Sequence, residues 1–259
     1  MTTTEPSRPT IRERALAGER LYGAFLILAS PLGAELAGQA GFDWLIVDLE
    51  HGAGSEAELL AQLYAIETTG TAAIVRSPSG ERLRIGRALD LGAAGIMVPR
   101  LETVEEVREA VSYLRWPPDG ARGLALMTRG ARLGAIGHTG VRAVNSEILG
   151  IIQIESRHAL ENAEAIAAID GADVLFVGPT DLSHSLGIPG KFDDPEFSDA
   201  LDRVVAACRA NGKSPGILLR HPSDAARYVE LGYRFIGLAS DAAFVADGAR
   251  GALANAPRG

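Results

Sequence analysis

Where the apolar run WLIVD (44–48) ends, the chain reads DLEH. Asp48, Glu50 and His51 thus bring two carboxylates and an imidazole to the end of a segment suited to a buried strand. A carboxylate beside an imidazole fixes its tautomer and raises its basicity, which is what a general base requires. A strand leaving the core for water also ends in charged residues, so this stretch alone decides nothing. Two other stretches repeat the pattern: Glu155 closes GIIQIE (150–155), and Asp181 follows DVLFVG (173–178) within GPTDLS. A carboxylate at the rim of a dry interior is costly, and a divalent cation is a common way to offset that cost. With no cysteine or paired histidine nearby, the two acids favour a hard ion such as Mg²⁺ or Mn²⁺. Both also precede helical stretches, so helix capping competes as an explanation.

The elements that must position these groups are legible as alternation. Short apolar runs occur at 22–28, 44–49, 72–76, 95–100, 150–155, 173–178, 215–220 and 235–240. They are nearly continuous rather than alternating, as suits parallel strands covered on both faces. Between them lie segments with apolar residues at helical spacing, such as 55–70 and 103–115. Eight strands alternating with helices predict a (β/α)8 TIM barrel in the α/β class, and a doubly wound open sheet is the alternative. Residues 1–20 read as a polar tail and a short lead-in helix, and 21–259 as one barrel domain. In such a barrel the site lies at the C-terminal strand ends. Those ends would gather Glu50, His51, Arg76, Pro99, Arg100, Glu155, Asp181, Arg220, His221, Ser240 and Asp241 around one mouth. The Gly- and Arg-rich stretch from Pro117 to about Asn145 reads as a long irregular loop, a class that is usually functional.

Composition removes several functions. The net charge of −8 argues against nucleic-acid binding, which needs clustered positive charge. A single cysteine, Cys208, excludes an internal disulfide framework, and its helical context predicts a core residue. No run approaches the roughly 20 apolar residues of a membrane span, and the polar N-terminus lacks a signal-peptide core, so a cytoplasmic protein is expected. Only two lysines are present: Lys191 in a loop and Lys213 just before a strand, on the opposite face from the mouth. Neither suits Schiff-base catalysis, so carbonyl activation is expected from a metal. No GxSxG motif, phosphate-cradling loop or organic-cofactor motif is present.

GFDWLIVDLEHG, IVRSP, ALDLGAAGIMVPRLET, IIQIES and GPTDLSHSLGIPG, taken in order, resemble the HpcH/HpaI family of class II, metal-dependent pyruvate aldolases. The resemblance runs from about Gly23 to Asp241. It implies reversible cleavage of a 4-hydroxy-2-oxo acid into pyruvate, or a close analogue such as hydroxypyruvate, and an aldehyde. The ion, Mg²⁺ or Mn²⁺ with Co²⁺ also possible, would polarise the 2-oxo group so that charge left by C–C cleavage is stabilised. By the same resemblance His51 is the base, Arg76 steadies the developing oxyanion, and Glu155 and Asp181 hold the metal. Gln153 contacts substrate, and the Thr180–Asp181 backbone receives the substrate carboxylate, although Thr180 stands where alanine or serine is expected. Asp90 is expected to raise the basicity of the histidine, and Asp48 to lie near it. Arg122, in the 122–134 loop, is expected as an extra substrate contact that helps select the aldehyde. A homo-oligomer, commonly a hexamer, with sites near subunit contacts is also implied. The rival reading is a citryl- or malyl-CoA lyase, which tends to carry an acid where this chain has His51.

Overall fold

The structure, a computed structural model, describes residues 9–257; Met1 to Arg8 of the expected tail, with Arg258 and Gly259, lie outside the described residues. Eight strands form the barrel: β1 (Leu21–Leu26), β2 (Trp44–Asp48), β3 (Ala72–Arg76), β4 (Gly95–Val98), β5 (Leu149–Ile154), β6 (Val174–Val177), β7 (Ser214–Leu218) and β8 (Phe235–Ser240). All pair in parallel in chain order, and β8 returns to β1 to close the ring. The expected TIM barrel is therefore the fold. The expected strands fall within one or two residues of the observed ones, and those at 72–76 and 235–240 coincide with them.

Helices α1 (Ile11–Leu16), α2 (Pro31–Gln39), α3 (Glu56–Glu67), α4 (Arg82–Asp90), α5 (Val104–Ser112) and α6 (Val141–Glu147) belong to the first half. The second half carries α7 (Arg157–Glu161), α8 (Ala163–Ala167), α9 (Pro179–Ser185), α10 (Pro195–Asn211), α11 (Ala225–Leu231) and α12 (Asp241–Asn255). Local chemistry sets their ends. Ser55 with Glu58, and Thr103 with Glu106, form capping boxes that satisfy the orphan N–H groups opening α3 and α5. Gly212 stops α10 in the left-handed conformation.

Strand geometry decides what the mouth contains. Side chains alternate between the two faces of a strand. In β2, Trp44 and Ile46 belong to the barrel interior, whereas Leu45 and Val47 pack against the helices. The same parity carries Asp48 inward at the top. In β3, Ile74 is interior, so Arg76 follows it; in β5, Leu149 and Ile151 are interior, so Gln153 and Glu155 follow. The register sets Asp48 directly beside Arg76. The floor under these polar groups is aromatic: Trp44 stacks on Phe235 with centroids 4.4 Å apart, and Phe25 and Phe176 meet it edge-on. Trp44 also lies across Gly23, where an added Cβ would come within 2.0 Å of the indole. A side chain there would overpack the interior, at a cost of roughly 1–3 kcal/mol or more.

The opposite end of the barrel is closed by α1. Ile11 and Ala15 pack beneath the interior layer, and Arg12 forks onto the fully buried Asp173 at 2.8 and 3.0 Å. The 117–145 stretch is irregular over 117–128 and 135–140, as expected, and is ordered between and after them. It holds a 3-10 turn (Arg129–Gly134) and the start of α6, because Ala131, Val141 and Val144 form a satellite core with Trp116. It connects α5 to β5, so it lies at the α1 end of the barrel, away from the mouth.

Candidate active site

At the mouth, Asp48 is buried and grips Arg76 through Nε–Oδ1 (2.9 Å) and Nη2–Oδ2 (2.5 Å). Its Oδ1 also accepts the backbone N–H groups of Glu50 (3.0 Å) and His51 (3.2 Å), which fixes the turn leaving β2. Asp48 thus touches the backbone of His51 rather than its ring. The carboxylate facing the ring is that of Glu50, with Oε2 3.7 Å from His51 Nε2 and 3.1 Å from Arg76 Nη1. Neither approach has hydrogen-bond alignment, and Glu50 Oε2 is buried without a partner. Burial is the main cause that pushes the Glu50 carboxyl above its ordinary range; Arg76 and His51 oppose it, and Asp48 and Asp181 add like charge. The DLEH spacing brings both acids to the imidazole, and the structure shows Glu50 as the one that faces the ring. His51 itself is open, its side chain 68% exposed.

Across the barrel, Glu155 is buried at the end of β5. Its Oε1 accepts the Arg100 backbone N–H (2.6 Å) and its Oε2 the Gln153 Nε2 (3.2 Å). Capping does not explain it, because the adjacent Ser156 caps α7. Asp181 stands exposed in the first turn of α9, and the residue before that helix supplies no side-chain cap. Desolvation, foremost, raises the Glu155 carboxyl above its usual range, and the charges of Glu50 and Asp181 push the same way against the Arg100 N–H. Two carboxyls whose ionisation is opposed by burial and neighbouring acids, with Asp181 beside them, suit a hard divalent cation. The donor set fits such an ion: Gln153 Oε1 is buried and unpaired, and Gly178 keeps the space open, since a Cβ there would sit 3.3 Å from Glu155 Oε2. Among the described residues no group of three or more His, Cys, Asp or Glu forms a metal cage. Glu155 and Asp181 would therefore hold the ion with water and substrate completing its shell.

Two expected residues are not brought to this mouth. Asp90 ends α4, and a helix that follows a barrel strand runs back to the opposite end. There Arg122 Nη2 meets Asp90 Oδ1 at 2.6 Å. Arg122 is 2% exposed and lies over the Trp116 ring at 4.2 Å. It is a buried arginine, not a loop arginine reaching substrate in its own chain. Burial dominates and pulls the Arg122 guanidinium below its ordinary range against the pull of Asp90. Asp241 lies at the rim as expected, where it accepts the N–H groups of Ile27 and Leu28 and ties α12 to the end of β1. Lys213 donates to Ile169 O at the α1 end, as its position before a strand implies, and Cys208 is buried in the core.

Comparison with known proteins agrees with this fold. The family model HpcH/HpaI aldolase/citrate lyase matches residues 21–247. A 5-keto-4-deoxy-D-glucarate aldolase of Klebsiella pneumoniae is 38% identical over 234 residues, covering 90% of this chain and 91% of that protein. A crystal structure of an HpcH/HpaI aldolase/citrate lyase family protein from Burkholderia cenocepacia is 37% identical, with a TM-score of 0.89 over 94% of this chain and 97% of that one. An HpcH/HpaI aldolase from Desulfitobacterium hafniense is 29% identical, with a TM-score of 0.87 over 96% and 98%. This chain, with its barrel mouth of Asp48, Glu50, His51, Arg76, Gln153, Glu155 and Asp181, belongs to the HpcH/HpaI aldolase/citrate lyase family and is a carbon–carbon lyase.

Proposed function

We propose that the protein is a divalent-metal-dependent aldolase that reversibly cleaves a 4-hydroxy-2-oxo acid into pyruvate, or a close analogue such as hydroxypyruvate, and an aldehyde. The observation that carries this reading is the parity of β2, β3 and β5, which turns Asp48, Arg76, Gln153 and Glu155 into one mouth over an apolar floor, with His51 free at its rim. Glu155 and Asp181 would hold an ion (Mg²⁺, Mn²⁺ or Co²⁺), which would supply Lewis-acid polarisation of the 2-oxo group. The remaining work falls to the chain itself.

Arg76, its side chain 11% exposed and pinned by Asp48, offers a fixed positive charge to the C2 oxygen as the C3–C4 bond breaks. His51 accepts the C4 hydroxyl proton in cleavage and returns it in condensation. Accepting and returning a proton in this way is ordinary general acid–base chemistry for an imidazole. Glu50 faces the ring, its Oε2 3.7 Å from Nε2. Gln153 Oε1 presents a free acceptor to a substrate hydroxyl or a water. The N–H groups of Thr180 and Asp181, in the first turn of α9, have no helical partner and suit the substrate carboxylate. The relative named for 5-keto-4-deoxy-D-glucarate supports a hydroxy-keto acid as the substrate class.

The expected homo-oligomer, a hexamer by resemblance, belongs to the same proposal. Leu32 and Leu36 on α2, and Val245 and Leu253 on α12, are 62–67% exposed apolar residues that a second copy would cover. Asp90 and Arg122, held at the far end of their own barrel, would meet His51 or the substrate only from a neighbouring chain. Sedimentation at micromolar concentration tests this: a hexamer is expected, and a monomer would remove both residues from the site. The activity is tested by incubating purified protein and Mg²⁺ with 5-keto-4-deoxy-D-glucarate and detecting pyruvate with lactate dehydrogenase. Pyruvate release that stops with chelator is expected. Cleavage only of a citryl- or malyl-CoA ester would establish the rival lyase instead.

A further inference from the structure

His51 lies beyond the end of β2, on a turn whose near side is fixed by Asp48. Its far side is fixed from β1. The two strands pair as far as Leu26 beside Val47, and past that point each gives way to a loop at the mouth. The loops stay joined, because the Ala53 N–H donates to Ile27 O at 2.8 Å. They also fit closely: a Cβ on Gly52 would lie 3.5 Å from the Ile27 Cα, and one on Gly54 only 2.6 Å from the Ala29 Cβ. Ala29 is held at φ +53°, in the left-handed region that a residue with a Cβ seldom adopts. Such strain persists where the surroundings over-determine it. Those surroundings include Asp241, which is 7% exposed at the start of α12. One of its carboxylate oxygens accepts the Ile27 N–H (2.9 Å) and the Ala242 N–H (2.8 Å), and the other accepts the Leu28 N–H (3.2 Å). Ile27 is thus gripped at its N–H by Asp241 and at its carbonyl by Ala53, just past His51.

We propose that Asp241 is a positioning residue for His51, acting through the backbone of Ile27 and Ala53. This rests on the aldolase reading, in which His51 exchanges the C4 hydroxyl proton, and adds what holds that base at the rim. The His51 side chain is 68% exposed, so packing does not fix the ring. Its place is set by the backbone that carries it, pinned on one side by Asp48 and on the other by the contacts from Asp241 through Ile27 to Ala53. Proton transfer needs hydrogen-bond reach, and a displacement of about 1 Å costs about a hundredfold in rate. A carboxylate suits this task because both of its oxygens accept, so one buried group holds two successive N–H groups. Asparagine keeps the size but turns a donor toward one of them.

The test is a double-mutant cycle on the cleavage of 5-keto-4-deoxy-D-glucarate with Mg²⁺. Wild type, Asp241→Asn, His51→Ala and the double variant are compared, each checked for fold by circular dichroism. Asp241→Asn is expected to lower kcat about ten- to a hundredfold with little change in KM. In the His51→Ala background the same substitution is expected to change kcat by less than about twofold, because the group it positions is gone. Losses that multiply in the double variant overturn the proposal, since a merely structural role would lower both backgrounds alike. Gly54→Ala disturbs the same contact from the other loop and leaves the hydrogen bonds of Asp241 in place. It is expected to give the same non-additive cycle, and it decides the matter alone if Asp241→Asn does not fold. A folded Asp241→Asn that turns over at the wild-type rate overturns the role of Asp241 alone. Wild type that leaves the acid intact, or His51→Ala at the wild-type rate, overturns the aldolase reading or its base, and the proposal with it.

Discussion

Asp48 and Arg76 are Cα partners on adjacent strands, and their side chains are joined by two hydrogen bonds of 2.9 and 2.5 Å at the top of the barrel interior. Asp48 is fully enclosed, so the pair stands or falls together. Removing one partner of a buried pair strands a charge at a cost of roughly 3–5 kcal/mol. Asp48→Asn is therefore expected to lose stability on that scale in urea unfolding and to lower kcat/KM for cleavage at least a hundredfold. The double variant Asp48→Leu with Arg76→Met replaces the pair by apolar volume and should recover most of the stability but none of the activity. Recovered activity would show that Arg76 holds the fold and not the oxyanion.

His51 separates stability from catalysis the other way. Its ring is 68% exposed, so His51→Ala should change unfolding free energy by no more than about 0.5 kcal/mol. Loss of a general base should lower kcat by about 10²–10⁴-fold. Steady-state cleavage kinetics beside a urea titration check both, and a variant that turns over at the wild-type rate would remove His51 as the base.

Metal binding and pH are linked through Glu155 and Glu50. Burial, first of all, raises both carboxyls above the ordinary value of 4.5. The folded state therefore holds those protons more tightly than the unfolded chain, and ionising the two groups at neutral pH costs stability. That cost disappears as pH falls through the raised values. In chelator the protein is expected to gain melting temperature in that window on going down from pH 7. Added Mg²⁺ competes with the same protons, so its stabilisation should be largest at pH 7 and shrink as pH falls. Glu155→Gln should flatten both trends. Melting curves at several pH values, with and without Mg²⁺, decide the matter; a Mg²⁺ effect of equal size at every pH contradicts it.

Arg122 and Asp90 form a structural pair in their own chain. Arg122 is 2% exposed beneath Trp116, whereas the Asp90 side chain is 33% exposed. Arg122→Ala leaves a cavity and an acid that water partly solvates, so a loss of about 2–4 kcal/mol is expected in urea unfolding. A change below about 0.5 kcal/mol would show that the pair does not support the 113–148 connection.

Much of this site was legible in the residues, for a physical reason. A strand of this barrel is covered on both faces, so its apolar positions carry no parity, and the runs read as unbroken. Polar residues do carry it: Asp48, Arg76 and Glu155 announced themselves because each interrupts or ends such a run. Glu50 was harder to place, because beyond Asp48 the chain leaves the strand and the turn, fixed by two N–H groups on Asp48, decides which acid faces His51. Asp90 and Arg122 show where the resemblance and the geometry of a single chain part. Element order already places the end of a post-strand helix, and the connection after α5, at the end of the barrel away from the mouth. The left-handed turn at Ala29 had no signal at all, since alanine is not a residue that advertises positive φ.

The central claim, that this mouth polarises a 2-oxo acid and bears the charge left on its C2 oxygen, is tested most directly by proton exchange. The methyl protons of pyruvate are followed by NMR in D₂O with the protein and Mg²⁺ or Mn²⁺, then with chelator. Deuterium entering the methyl group only when the ion is present is the expected result, and it needs no knowledge of the natural aldehyde. Protein that binds the ion, stays folded and exchanges no methyl proton would contradict the account.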